Sequence, residues 1–392
     1  MLRFLTAGES HGPSLTAILE GFPSGLKIDS DRINCELKAR QSGYGRNSRQ
    51  KIENDKVSFS GGIRGGITTG GPICIHIENK DFDNWREVMT IEGEINTPKE
   101  KIVDTFRPGH ADLAGTLKYG HKDVREVIER ASARETAARV AIGALCQQLL
   151  NHFEIEFAAH VVQVGEVKAP SKADFEDLNN LNELASQSEI LCADKSVSAE
   201  IIDLIKRTWS EGDSLGGVVE ILVDNLPVGL GSYAHWDRRI DGQLAQALMS
   251  IHAIKAIEVG DGFEACSKPG SQVHDAIYES TEDTKDSLPY SRKTNRAGGI
   301  EGGMTNGSRL VLRAYMKPIP TLVKGLNSIS FPELKSKKAR YERSDVCAIS
   351  ACAIVAKSMT AFVLARALLE KFGGDSVEQI SKTYRKFNLS DA

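Results

Sequence analysis

GGIRGGITTGG, residues 61–71, returns as GGIEGGMTNG at residues 298–307. Gly61, Gly62, Ile63, Gly65, Gly66, Thr68 and Gly70 match Gly298, Gly299, Ile300, Gly302, Gly303, Thr305 and Gly307. Either a phosphate-cradling loop is used twice, or one piece of scaffold is built twice. The flanking sequence favours scaffold. GESHGPSLTAILEGFPSGL (8–26) aligns without gaps, at an offset of 204, with GDSLGGVVEILVDNLPVGL (212–230). Arg32, Ile33 and Leu37 then match Arg239, Ile240 and Leu244 at an offset of 207, and the glycine element follows at 237. The order is kept and the offset only grows, as insertions in loops would make it. The chain therefore reads as a single domain over 1–392, with internal repeats at about 8–153 and 212–372.

Each repeat predicts turn, strand, Pro-Gly turn, helix, Gly-rich turn, strand. The helices are RINCELKAR (32–40) and RIDGQLAQALMSIHAIKAI (239–257). PICIHIE (72–78) and RLVLRAYM (309–316) alternate as strands with one buried face. Long helices are expected after each repeat, at 123–153 and 346–372. The polar stretch 172–207 reads as a peripheral helical excursion, and 287–299 as a loop.

With 41% apolar and 26% charged residues, the composition is that of a soluble globular protein. A net charge of −4 gives no support for a nucleic-acid partner. Seven cysteines, without CxxC or zinc spacing, read as small buried residues in a reducing compartment. The N-terminus lacks a signal peptide's apolar core. The one span-like segment, 346–369, holds Lys357, Arg366 and many small residues. It reads as a closely packed core helix, and the protein as cytoplasmic with no membrane partner.

What one repeat carries and the other lacks is where chemistry is to be sought. His11 faces Leu215 in the alignment, and a histidine in a Gly-rich turn suits proton transfer near neutral pH. FRPGHAD (106–112) sets Arg107 and His110 in one turn. ERASARET (129–136) places Arg130 and Arg134 four apart, on one face of the expected helix, with Ser132 between them. KARQSGYGRNSR (38–49) supplies Arg40, Arg46 and Arg49; RYERSD (340–345) supplies Arg340, Arg343 and Asp345; KPIPT (317–321) puts Lys317 at a strand end. Taken singly, each is a solvated turn or a surface pair. Together they predict a site for phosphorylated or carboxylated small ligands. GxxxxGK[ST] is absent, which excludes a P-loop ATPase, and a strand rather than a helix follows GGIRGG. Neither HExxH nor a carboxylate cluster marks a metal site.

GESHGPSLTAILEGFP (8–23), ERASARETAARVAIGAL (129–145) and RSDVCAISACAIVAKSM (343–359) resemble the three signature regions of the chorismate synthases. RPGHAD, GDSLGG, GDGF (260–263), GGIEGGMTNG and KPIPT also look like that family, and the likeness runs from about residue 3 to 370. In one departure, Lys357 stands where the third signature normally has Glu; Cys352 fills a small-residue position. The resemblance implies an α+β fold, a β-α-β sandwich with central helices between two antiparallel sheets, usually assembled as a homotetramer. It implies a lyase of the shikimate pathway that converts 5-enolpyruvylshikimate 3-phosphate (EPSP) to chorismate by 1,4-anti elimination of phosphate. Such enzymes require reduced FMN, without net redox change. The flavin's electrons come either from NADPH through the same chain or from an external flavin reductase. A non-catalytic phospholigand-binding protein is a further reading.

By the resemblance, His110 protonates the departing phosphate and His11 protonates or stabilises the reduced flavin. Asp345 holds the flavin ready to take the C6 proton of the substrate at N5. Arg40, Arg46, Arg107 and Arg134 clamp EPSP, or NADP in a bifunctional form. The flavin meets Arg130, Ala131, Ser132, His252, Ala253, Gly302, Lys317, Pro318, Ile319, Pro320, Thr321 and Arg343.

Overall fold

The computed structural model describes residues 1–46, 53–280, 289–342 and 344–390. Arg49 and Arg343 lie outside the described residues. Two antiparallel sheets enclose a layer of helices. The first runs Arg3–Ala7, Ser14–Glu20, Ile73–Glu78, Val57–Gly61 across the sheet. The second runs Val167–Lys168, Glu156–Val164, Gly217–Asp224, Leu310–Met316, Ile254–Val259. Setting aside the short Val167–Lys168 edge, the two orders correspond when the strands of each sheet are taken in chain order (first, second, fourth, third), and the sequence alignment covers the pair Ser14–Glu20 and Gly217–Asp224. The expected α+β sandwich of antiparallel sheets is the architecture observed.

The two matched glycine elements close two short hairpins. Ile63 pairs with Thr68 and Arg64 with Ile67; Ile300 pairs with Thr305 and Glu301 with Met304. The two-residue tips, Gly65-Gly66 and Gly302-Gly303, all lie at positive φ (59°, 77°, 59° and 83°). A type I′ hairpin demands that conformation at both central positions, and glycine adopts it at least cost. The matched threonines lock each hairpin to the preceding Pro-x-Gly-Leu turn. Thr68 Oγ1 donates to the Pro23 carbonyl (2.7 Å) and accepts from the Leu26 amide (3.0 Å). Thr305 does the same with Pro227 (2.6 Å) and Leu230 (2.8 Å). Both hydroxyls are buried, so each would be costly to leave unpaired. The repeated glycines therefore build turns, and no phosphate loop.

Between the sheets lie Ser30–Gln41, Thr136–Asn151, Ile240–Met249 and Ile349–Phe372. Asp29 caps the first, accepting from the Asp31 and Arg32 amides. Thr136–Asn151 leans on the first sheet, and Ile349–Phe372 on the second; the two pack against each other. Their approach is close because Gly143 faces Ser358, whose Cβ would lie 2.3 Å from an added methyl. Ile349–Phe372 is long and apolar enough to cross a membrane, but 89% of its most apolar window is buried inside this fold.

Three elements depart from the sequence expectations. The helix expected over 239–257 stops at Met249, and Ile254–Val259 is a strand. Ala253, at φ 66°, makes the bend that no helix accommodates. The helix expected over 123–153 divides into Arg125–Arg130 and Thr136–Asn151. Ser132 breaks it: the backbone is extended there, and Oγ caps the Arg134 amide instead of continuing the helix. Within 287–299, expected as loop, Tyr290–Arg292 pairs with Ile277–Glu279. The 172–207 excursion holds the amphipathic Leu178–Ser186 and most of Lys195–Ser210, capped by Asp177 and Asp194.

Candidate active site

A cavity of about 820 Å³ opens where the two halves of the chain meet. Matching elements of both halves contribute. Segments following the last strand of each sheet line it (Asp81–Trp85 and Lys317–Thr321), as do the starts of both long helices (Ser132–Thr136 and Ala348–Val355). Helix N-termini carry partial positive charge, which favours anions. Arg40, Arg46, Lys101, Arg107, Arg125, Arg134, Lys317 and Arg340 outnumber the lining acids Glu53, Asp81, Glu100, Glu342 and Asp345.

The structure brings most of the sequence-derived candidates to this one cavity. His11, His110, Asp345, Arg40, Arg46, Arg107, Arg134, Ala131, Ser132, His252, Ala253, Lys317, Ile319, Pro320 and Thr321 all line it. Arg130, Pro318 and Gly302 do not. The helix break at Ser132 separates Arg130 from Arg134, correcting the expectation of a shared face. Arg130 turns outward to the carbonyls of Thr6 (3.1 Å) and Gly8 (3.3 Å). Arg134 turns inward and is 6% exposed. Gly302 sits exposed at its hairpin tip, with no atom within 4 Å of where a side chain would begin.

Two histidines are each held by a buried carboxylate. His110 bonds through Nδ1 to Asp112, which is fully buried. Asp112 also accepts from Arg107, at the backbone amide (3.0 Å), Nε (2.8 Å) and the terminal guanidinium nitrogen (3.0 Å). Burial pushes the Asp112 carboxyl up, but the His110 and Arg107 hydrogen bonds outweigh it and hold it well below the ordinary range. An ionised carboxylate only accepts, so His110 Nδ1 carries its proton and Nε2 is the nitrogen left for the cavity. The turn itself is anchored to the second half of the chain, where Lys317 donates to the Gly109 carbonyl.

His11 sits between strands Arg3–Ala7 and Ser14–Glu20. Its Nδ1 lies 2.9 Å from both oxygens of Glu129, and its backbone amide donates to the same carboxylate (2.8 Å). Burial raises the Glu129 carboxyl; the His11 contacts, with Arg125, more than offset this and hold it below its ordinary value. The imidazole also stacks on Trp85, with centroids 4.0 Å apart.

The arginines are arranged in advance by acids behind them. Asp55 accepts from Arg40 (2.9 Å) and, through both oxygens, from Arg134 (2.7 Å each). Arg134 also donates to Asn79 (2.8 Å). Burial, partly opposed by Asp55, lowers Arg40 to about 10, leaving it protonated at neutral pH. Arg46 Nε lies 3.4 Å from Asp345. The Val346 amide donates to the Gly45 carbonyl (2.9 Å), tying the Asp345 loop to the Arg46 loop.

The cavity lining also includes the apolar Ile128, Ala131, Ile251, Met316, Ile319, Pro320 and Val355. His252 Nδ1 is buried there without a partner, and burial lowers the pKa of that imidazole. Apolar lining residues, an orphaned ring nitrogen, an excess of cations and two helix ends fit an aromatic ring bearing a phosphate tail. They fit reduced FMN in that respect. Sequence reasoning passed over Trp85, Lys101, Arg125, Glu129 and Asp55 as site residues. Glu129 lies inside a quoted motif, and Trp85 is one of only three tryptophans; Asp55 carries no local signal.

The comparisons with known proteins agree. The family model described as chorismate synthase matches residues 2–369. The chain is 51% identical over 392 residues to the chorismate synthase of Alkaliphilus metalliredigens, covering 99% of each chain. It is 50% identical over 391 residues to that of Sulfurihydrogenibium sp., covering 99% of this chain and 98% of the relative. A crystal structure of chorismate synthase superposes with a TM-score of 0.79 at 40% identity, covering 99% of this chain and 97% of the other. The chain belongs to the chorismate synthase family.

Proposed function

We propose that the cavity binds EPSP together with reduced FMN and releases phosphate to give chorismate. The observation that carries this reading is the meeting, in one cavity, of two carboxylate-held histidines with the Arg40–Asp55–Arg134 cluster. The substrate bears a phosphate and two carboxylates. Such an anion needs cations whose positions are already fixed, since ordering them on binding would cost affinity.

His110 is the acid. With Nδ1 held by Asp112, Nε2 donates its proton to the departing phosphate, and Arg107 balances the charge that develops. Arg40, Arg46 and Arg134 clamp the substrate's anionic groups. Asp345, beside Arg46, attends the C6 proton that must leave on the opposite face of the ring. One proton is lost from carbon and one C–O bond is broken, so the reaction is redox-neutral overall. Reduced FMN, when bound, would supply electron density that assists phosphate loss from the allylic carbon, the C6–H being unactivated. Ala131, Ser132, His252, Ala253, Lys317, Ile319, Pro320 and Thr321 would hold it. His11 would serve the flavin through Nε2.

The protein works in the cytoplasm as a homotetramer. That assembly offers Gly302 a route to a flavin, because its exposed hairpin tip is free to enter the cavity of a neighbouring copy. The two halves descend from one repeated unit; their matched strand orders and paired threonine locks support this. The test is anaerobic phosphate release from EPSP with photoreduced FMN. Chorismate and phosphate in equal amounts are expected; no phosphate release overturns the reading. A parallel assay with NADPH and oxidised FMN separates a bifunctional enzyme from one fed by an external reductase.

A further inference from the structure

Trp85 follows the short helical turn Lys80–Asn84 and belongs to none of the three apolar clusters of the fold. Its indole is engaged otherwise. His11 stacks on it at an interplanar angle of 29°, Lys101 Nζ lies over it at 4.3 Å, and the Arg125 guanidinium lies over it at 5.1 Å. Arg125 also donates to Glu129 (3.3 Å) and to the Lys101 carbonyl (2.5 Å). Glu129 in turn grips His11 at the ring and the backbone. The contacts therefore close on themselves: His11 to Glu129, Glu129 to Arg125, Arg125 to Trp85, Trp85 back to His11.

We infer that Trp85 and Glu129 are positioning residues that together fix the orientation of the His11 imidazole. This rests on the function proposed above. His11 sits in a turn between Gly8 and Gly12, where the chain by itself restrains a side chain little. Glu129 fixes rotation about the ring by accepting from Nδ1; Trp85 fixes the plane. Neither contact alone does both. What remains unused at this cavity-lining ring is Nε2, held at a defined angle. Displacement of a reacting group by 1 Å costs about a hundredfold in rate, so the cradle has kinetic consequences. Arg125 and Lys101 hold the indole by cation–π attraction, which is strongest for tryptophan.

Two readouts test this. The first is a split of kcat from KM. Trp85→Leu keeps an apolar wall but loses the stacking face; Trp85→Phe keeps a face. Trp85→Leu and Glu129→Gln should each lower kcat about tenfold or more, with the KM for EPSP within about threefold, and Trp85→Phe should lose far less. The second needs no turnover. In a Trp209→Phe/Trp236→Phe background Trp85 is the only indole, and the two replaced residues are exposed outside the cavity. His11→Ala should then change Trp85 emission yield and its access to a soluble quencher. Emission indifferent to His11→Ala, or a Trp85→Leu enzyme with unchanged kcat, overturns the inference. If the unmutated enzyme forms no chorismate, the functional reading fails, and the emission result alone decides whether the cradle exists.

Discussion

Asp112→Asn separates the two tasks of the buried carboxylate behind His110. The substitution keeps volume and removes charge. Asp112 is fully buried and accepts three hydrogen bonds from Arg107 and one from His110. An amide offers one accepting and one donating end, so at least one of these donors meets another donor. Breaking one side of a buried pair costs about 3–5 kcal/mol, because the remaining charge is left unpaired. Arg107, whose side chain is 12% exposed, has little water to turn to. The unfolding free energy should therefore fall by about that amount in urea titration. Activity should fall further than stability explains. Without the carboxylate, the proton is no longer bound to stay on Nδ1 and Nε2 loses its defined role. An amide in place of the carboxylate behind a catalytic histidine costs up to about 10⁴-fold in kcat. The pH dependence follows from the direction of the shift. Asp112 titrates below its ordinary value in the folded protein, so its contribution is fully present above about pH 4 and is lost as pH falls through the folded-state value. Asp112→Asn should flatten that acid limb of the stability profile. A variant with unchanged urea midpoint and kcat within about threefold of the parent would refute the reasoning.

Three further outcomes are expected. His110→Ala should still bind EPSP, by calorimetry, yet release phosphate about 10²- to 10⁴-fold more slowly, the usual contribution of a positioned acid. Thr68→Val and Thr305→Val each strand the carbonyl and amide that the lost hydroxyl joined. Each should cost about 1–3 kcal/mol in urea unfolding, and the double variant should be additive because the sites lie in different sheets. Lys357, at the position where the third family signature normally has Glu, pairs with Glu36 at 2.7 Å between two central helices. Lys357→Glu should lower the thermal midpoint, and adding Glu36→Lys should recover most of the loss.

The structure explains which parts of the site a sequence discloses. The sandwich was legible because its turns need particular residues: Gly65-Gly66 and Gly302-Gly303 must adopt positive φ, and Thr68 and Thr305 must bridge two backbone groups. Such demands leave identical letters at distant places. The cationic candidates were legible for a related reason, since Arg and His in Gly-rich turns have few structural uses. What stayed hidden was pairing. Nothing local connects Asp55 to Arg134, 79 residues away, or His11 to Glu129, 118 residues away. Helical spacing then misled at Arg130 and Arg134, because Ser132 had a better use for its hydroxyl than a helix interior gives it. That break matters for chemistry. It starts a new helix at the cavity and turns Arg134 onto Asp55, while Arg130 is left tying the adjoining strand. The contrast between His11 and Leu215 has the same origin. Backbone amides at both matched turns bond to the segment leading into a long helix: Ser10 to the Glu129 carbonyl, Leu215 to that of Val346. The bonded amides are one position out of register, since Ser10 aligns with Ser214 and His11 with Leu215, and the His11 amide bonds to the Glu129 carboxylate instead of a carbonyl. In one half the side chain meets a carboxylate at a cavity wall; in the other it fills space. Two turns of similar sequence thus lie against comparable segments, while only the first carries a histidine at the cavity.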